Sequence, residues 1–158
     1  MLYPIQNLTR FHNFSNYFHD KIFCNFISKL IDAFIRIIYS AAIPAGAKID
    51  KSVHFGHNGL AVVINKNSVI HANVFIGSHV ILGGKSPIRG APCIESNAVI
   101  HAGAILIGPI RIGRGAVVAA NSVVLNDVPD ACLVAGIPAK IIKSGIDSQL
   151  YNPLIEEE

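Results

Sequence analysis

Aliphatic residues return every six positions through the middle of the chain, at Ile64, Ile70, Ile76, Leu82, Ile88, Ile94, Ile100, Leu106, Ile112, Val118 and Val124. Four places after these positions come small or modest residues such as Ser68, Val74, Val80, Ala98, Ala104, Ala116 and Ser122, with Gly, Asn and charged residues in between. A period of six matches neither a continuous helix nor a simple alternating strand. It suits a triangular coil with one short strand per side and one inward aliphatic per strand, buried by the coils above and below. Three such hexads make an eighteen-residue turn. Gly77, Gly103, Gly113, Gly115, Asn73, Asn97 and Asn121 suit corners that need unusual backbone angles. The pattern predicts a β fold, a parallel β-helix of hexapeptide repeats, running from Ala42 to about Val134.

Upstream the period changes. Phe23, Phe26, Ile27, Leu30, Ile31, Phe34, Ile35 and Ile38 recur at spacings of three and four, which defines one apolar stripe on a helix, while Lys21, Lys29, Asp32 and Arg36 lie off it. Two placements fit the stripe: docked on the first coil or a neighbouring subunit, or lying on a membrane surface through residues 22–38. The three charges within Ile22 to Ile43 argue against a span. A second short helix is expected within residues 1–20. The organisation read from these patterns is a helical segment over 1–41, a β-helix over 42–146 and a tail over 147–158, solvated from Gln149 onward.

The repeat breaks twice. The hexad frame run backwards gives Ile64, then Phe55, Ile49 and Ile43, so one step is nine residues long and three residues are inserted in GHNGLAVV. That segment carries His57 and Asn58 between Gly56 and Gly59. The frame survives through GGKSPIRGAP, Gly83 to Pro92, but two prolines and three glycines make a continued strand improbable there. A loop leaving the coil is expected, able to reach a neighbouring copy.

The 158 residues fit one domain. A hydrophobic share of 51% against 15% charged residues suggests apolar surface covered by another copy. A net charge of +3 from scattered Lys and Arg makes no basic stripe, which excludes nucleic acid as a first partner. Cys24, Cys93 and Cys132 are odd in number and far apart, so they define neither a disulfide framework nor a zinc knuckle. With no secretory leader pattern at the start, a cytoplasmic setting is expected, with contact at the inner face of the membrane if the helix lies there.

The segments AKIDKSVHFGHNGLAVVI, VILGG, AGAILIGPIRIGRGAVVAANSVVLNDVP and AGIPAKII resemble the hexapeptide-repeat acyltransferases, in the branch related to serine acetyltransferase. The resemblance runs from about Ala42 to Lys143. It implies a left-handed β-helix, a homotrimer, acetyl-CoA as co-substrate without a metal, and His57 as the base that takes the proton of an acceptor hydroxyl. An imidazole with a pKa of about 6.5 suits that task at neutral pH. The resemblance also places the pantetheine arm of CoA along a groove between prisms, against Gly103, Ala104, Ala119 and Ala120, with Lys140 near the phosphates. The same alanines serve equally well as coil packing. Backbone N–H groups near Gly83 and Gly84 are candidates for stabilising the oxyanion, and His54, Asn58 and Arg89 for contacting the acceptor.

Three departures bear on that acceptor. Serine acetyltransferases carry an aspartate directly before the bulge histidine, where this chain has Gly56, and an acidic residue upstream, where it has Ala42. Their projecting loop carries an Arg-His pair, where this chain has Gly90 and Ala91. An amino-acid acceptor calls for fixed charges, so the pattern is read as closer to enzymes that O-acetylate sugars of surface-polysaccharide precursors. Serine O-acetyl transfer and a non-catalytic assembly role are the alternatives. For the other histidines, an eighteen-residue turn places His71 under Arg89 and Ile107, His79 under Asn97 and Gly115, and His101 over Gly83. They do not converge, and no metal site is expected from them.

Overall fold

The computed structural model describes residues 7–19 and 25–154. Two helices, α1 (Asn7–His19) and α2 (Asn25–Tyr39), precede a solenoid of short strands. The first coil contains β1 (Lys48–Ile49), β2 (His54–Phe55) and β3 (Val63–Ile64); the second β4 (Val69–Ile70), β5 (Phe75–Ile76) and β6 (Ile81–Gly83). The third contains β7 (Cys93–Ile94), β8 (Val99–Ile100) and β9 (Ile105–Ile107); the fourth β10 (Arg111–Ile112), β11 (Val117–Val118) and β12 (Val123–Val124). A hairpin of β13 (Cys132–Gly136) and β14 (Ala139–Ser144) follows. Stacking makes three sheets, β1-β4-β7-β10, β3-β6-β9-β12, and β2-β5-β8-β11-β13-β14. All pairings are parallel except β13 with β14.

The inward columns are those the period predicts. Ile49, Ile70, Ile94 and Ile112 stack on one side, Phe55, Ile76, Ile100, Val118 and Val134 on the second, and Ile64, Leu82, Leu106 and Val124 on the third, all buried. The second hexad column, Ser68, Val74, Val80, Ala98, Ala104, Ala116 and Ser122, is buried as well. Asn73, Asn97, Asn121, Gly103 and Gly115 hold positive φ at corners, as expected. Gly77 and Gly113 serve differently. Their φ is not positive, but a Cβ on Gly77 would lie 2.5 Å from the Ala102 nitrogen, and one on Gly113 would strike the backbone of Asp130.

One part of the expected stacking is wrong. Between the second and third coils the register step is 24 residues, with Val69 on Cys93, Phe75 on Val99 and Ile81 on Ile105. The projecting loop takes up one whole hexad, so the sequence period passes through it without a change of phase. Ile88, although in phase, is 52% exposed on that loop and has no place in the inward column. The neighbours of the histidines shift accordingly. His71 donates its backbone N–H to Ile94 and stands beside Cys93 and Glu95, not under Arg89 and Ile107. His79 lies between Leu60 and Gly103, and His101 stacks on Gly77 rather than Gly83.

The helical stripe also divides. Ile35 is buried and Ile31 and Tyr39 pack against the core, whereas Leu30, Phe34, Ile37 and Ile38 are exposed. Phe23 lies outside the described residues. Thr9 donates to the Val53 carbonyl at 3.0 Å and the buried His12 ring to that of Ala47 at 2.9 Å, which fixes α1 to the first coil. Of the tail expected to be solvated from Gln149 onward, Leu150 is exposed, Tyr151 packs with Ile146 over Phe75, Val99 and Val117 on the outer face of the six-stranded sheet, and residues 155–158 lie outside the described residues. No helix among the described residues is long and apolar enough to cross a membrane.

Candidate active site

The insertion falls at a tight four-residue turn, Gly56–Gly59, between β2 and β3. His57 (φ 49°), Asn58 (φ 55°), Gly59 (φ 69°) and Ala61 (φ 56°) occupy the left-handed region in close succession. Such a run of non-glycine residues is costly. It is held by hydrogen bonds from Leu60 N–H to the His57 carbonyl at 3.2 Å and from Val62 N–H to Gly59 at 3.1 Å. From below, Leu8 of α1 packs so closely on buried Gly59 that no Cβ fits there. The turn therefore lifts His57 and Asn58 into solvent on a supported base, with His54 half-buried at the start of β2. The His57 ring is exposed and makes no hydrogen bond among the described residues, so both ring nitrogens are open to a further partner.

Gly56 has a structural cause. A Cβ at this position would lie 2.9 Å from Cζ of Phe75. The aromatic ring, buried under Ile146 and Tyr151, takes the space that the first atom of a side chain at residue 56 would need.

The strand order decides which of the remaining candidates share this site. The β2–β3, β5–β6, β8–β9 and β11–β12 connections all run between the six-stranded sheet and the β3-β6-β9-β12 sheet, and so lie on one edge of the prism. That edge carries His57 and Asn58, then His79, then Gly103 and Ala104, then Ala119 and Ala120, whereas His54 opens β2 on the six-stranded sheet beside Phe75. Ala104 is fully buried in the coil, leaving its backbone for any contact, while Gly103 and Ala119 are half-buried and Ala120 exposed. Lys140 is exposed on β14, at the far end of the six-stranded sheet. Arg89 is exposed on the loop between β6 and β7, and Gly83 and Gly84 lie at its base. This is the edge between the other pair of sheets, so a single chain does not bring them to His57.

Sequence reasoning weighed His101 only as a metal ligand and placed it over Gly83. It lies half-buried on the His57 edge, where burial pushes its imidazole below the ordinary value. The only signal for it was the register step of 24, hidden by a loop of one hexad.

Residues 94–126 match the family described as bacterial transferase hexapeptide (six repeats). Over that stretch the chain carries the bacterial transferase hexapeptide repeat. Serine acetyltransferase from Bacillus licheniformis is 40% identical over 119 residues, 74% of this chain and 55% of that protein. Among solved structures, soybean serine acetyltransferase complexed with serine is 33% identical with a TM-score of 0.79, covering 85% of this chain and 56% of that one. Serine acetyltransferase from Brucella abortus strain S19, in complex with coenzyme A, is 30% identical with a TM-score of 0.79, covering 87% of this chain and 55% of that one. The chain spans about half the length of the curated relatives it matches. Its hexapeptide solenoid is homologous to theirs, and the narrower resemblance to sugar-modifying enzymes finds no support among these relatives.

Proposed function

We propose that this hexapeptide-repeat protein transfers the acetyl group of acetyl-CoA directly to a hydroxyl, as a homotrimer, with His57 as general base. The observation that carries the reading is the supported left-handed turn, which presents an open imidazole on the same edge as Gly103, Ala119 and Ala120. The acceptor hydroxyl gives its proton to His57 as its oxygen bonds to the thioester carbon. The tetrahedral intermediate collapses with cleavage of the C–S bond, and the imidazolium returns the proton to the departing CoA thiolate. No covalent acyl-enzyme is needed, because the thioester is already reactive. The small residues along the edge let the pantetheine arm approach the backbone, and Lys140 supplies a cation for phosphate. Arg89 and the Gly83–Gly84 backbone would join a His57 only across a subunit boundary, which is the reason for a trimer.

The relatives support L-serine as the acceptor over the sugar favoured by the sequence pattern. A neutral sugar hydroxyl is the second reading, favoured by one observation: Phe75 crowds residue 56 beside His57, so no carboxylate stands there, and Ala42 and Ala91 supply no charge. The relatives' names do not bear on the outer face of α2. There Leu30, Phe34, Ile37 and Ile38 accompany Lys29 and Arg36, a combination compatible with peripheral contact to an anionic membrane.

The test is acetyl-CoA consumption with L-serine and with a panel of sugars, together with light scattering and calorimetric CoA titration. The expected result is a trimer binding about one CoA per chain and acetylating serine. His57→Ala should lower turnover by roughly 10²–10⁴-fold while the trimer and CoA binding persist. Turnover of sugars alone would move the acceptor to the second reading, and undiminished turnover in His57→Ala would remove the mechanism.

A further inference from the structure

We propose that His71, Cys93 and Glu95 form a binding site for a divalent transition-metal cation of the zinc class. The site lies on the outer face of the β1-β4-β7-β10 sheet, away from the His57 edge. Strand alternation places all three side chains outward: Ile70 and Ile94 point into the core, so His71, Cys93 and Glu95 flank them on the other face. The register step of 24 sets His71 level with Glu95 in the next coil, with Cys93 two positions before it on the same strand face. One imidazole nitrogen, the Cys93 thiol sulfur and one carboxylate oxygen all lie within 4.8 Å of one another.

Tetrahedral zinc with bonds of about 2.0–2.3 Å needs donors roughly 3.5 Å apart. Rotamer adjustments of about 1 Å close that gap on side chains that are not fully buried. Thiolate, imidazole and carboxylate together are the donor set that zinc-class ions select, and magnesium and calcium do not. Three protein donors on a partly exposed face leave a fourth position for water.

The neighbour above regulates access to the third donor. Arg111, on the adjacent strand, donates Nε–H to Glu95 Oε1 at 3.1 Å and is also drawn to Asp130 at 3.0 Å. One carboxylate oxygen of Glu95, Oε1, is thus engaged by a cation, which leaves Oε2 without that bond. Removing the guanidinium frees Glu95 and takes a positive charge from beside the incoming ion.

The test is calorimetric titration of the metal-free, reduced full chain with zinc chloride, paired with cobalt(II) absorption. The expected result is about one ion per chain and a cobalt spectrum with a thiolate charge-transfer band and tetrahedral intensity. Cys93→Ser and His71→Ala should each weaken binding at least about tenfold, Cys93→Ser abolishing the thiolate band. Arg111→Gln should keep the stoichiometry and tighten binding. His71 is exposed, so His71→Ala reports on the site even if Cys93→Ser folds poorly. No saturable binding, a cobalt spectrum without the thiolate band, or wild-type affinity in either ligand variant would overturn the site.

Discussion

Gly56 concentrates the relation between local packing and chemistry. Its missing side chain is dictated by Phe75, whose ring edge lies 2.9 Å from where a Cβ would sit. Restoring an aspartate there, as serine acetyltransferases have, does not restore an acid–histidine pair, because the ring must move first. Gly56→Asp should lower the melting temperature, at a cost of about 1–3 kcal/mol for overpacking, and should not raise turnover. Adding Phe75→Ala makes room. The double variant should therefore lose less stability than the sum of the two single changes, which a double-mutant thermal melt would show. Additive losses would mean that the ring and residue 56 do not compete for space.

At the scale of elements, α1 holds the His57 turn in place. Leu8 supports Gly59 directly, and two residues of the same helix, Thr9 and His12, bond to carbonyls of the first coil. Burial pushes the His12 imidazole below its ordinary value of 6.5, against smaller opposing pulls from the Ala47 carbonyl and the Asp32 charge. The unfolded chain thus binds a proton at His12 that the folded chain refuses. The stability of α1 docking is complete above about pH 6.5, declines as pH falls below that, and levels off below the folded-state value. The melting midpoint should drop between about pH 7 and pH 5, and His12→Gln should flatten that dependence. An unchanged slope in His12→Gln would place the acid sensitivity elsewhere.

Elements also show what a sequence reveals. The inward columns, the second small-residue column and the bulge at His57 were legible because each leaves a mark in the hexad count. The loop from Gly83 to Pro92 was legible in its glycines and prolines. Its effect on stacking was not, because an insertion of one complete period leaves Ile88 in phase and Ile94 in phase after it. For the same reason the His71–Cys93–Glu95 cluster could not be read from a single-coil count. The packing of Ile146 and Tyr151 on the outer sheet face left no periodic trace either, since those residues belong to no repeat.

At the scale of the whole molecule, the prism separates its candidate parts onto different edges. His57 and the small-residue track share one, while the loop with Arg89 leaves from another. A reaction that uses both requires that chains associate, so activity and assembly should be lost together on dilution. Specific activity that stays constant down to concentrations where light scattering shows monomers would place the whole reaction within one chain.

The loop has a further property: the coil above it makes the same connection without it. Ile107, Gly108, Pro109, Ile110 and Arg111 pass from β9 to β10 directly, matching Gly83, Gly84, Ala91, Pro92 and Cys93 once residues 85–90 are set aside. The ends of that excursion already meet, since a Cβ on Gly84 would lie 3.4 Å from the Gly90 carbonyl oxygen. Residues 85–90 are thus a detachable cassette whose excision leaves a template-matched corner behind. Excising them should return a chain that melts close to the parent and still binds CoA, yet no longer turns over acceptor. The solenoid and the chemistry of its neighbour could then be assayed as separate inventions of the same sequence.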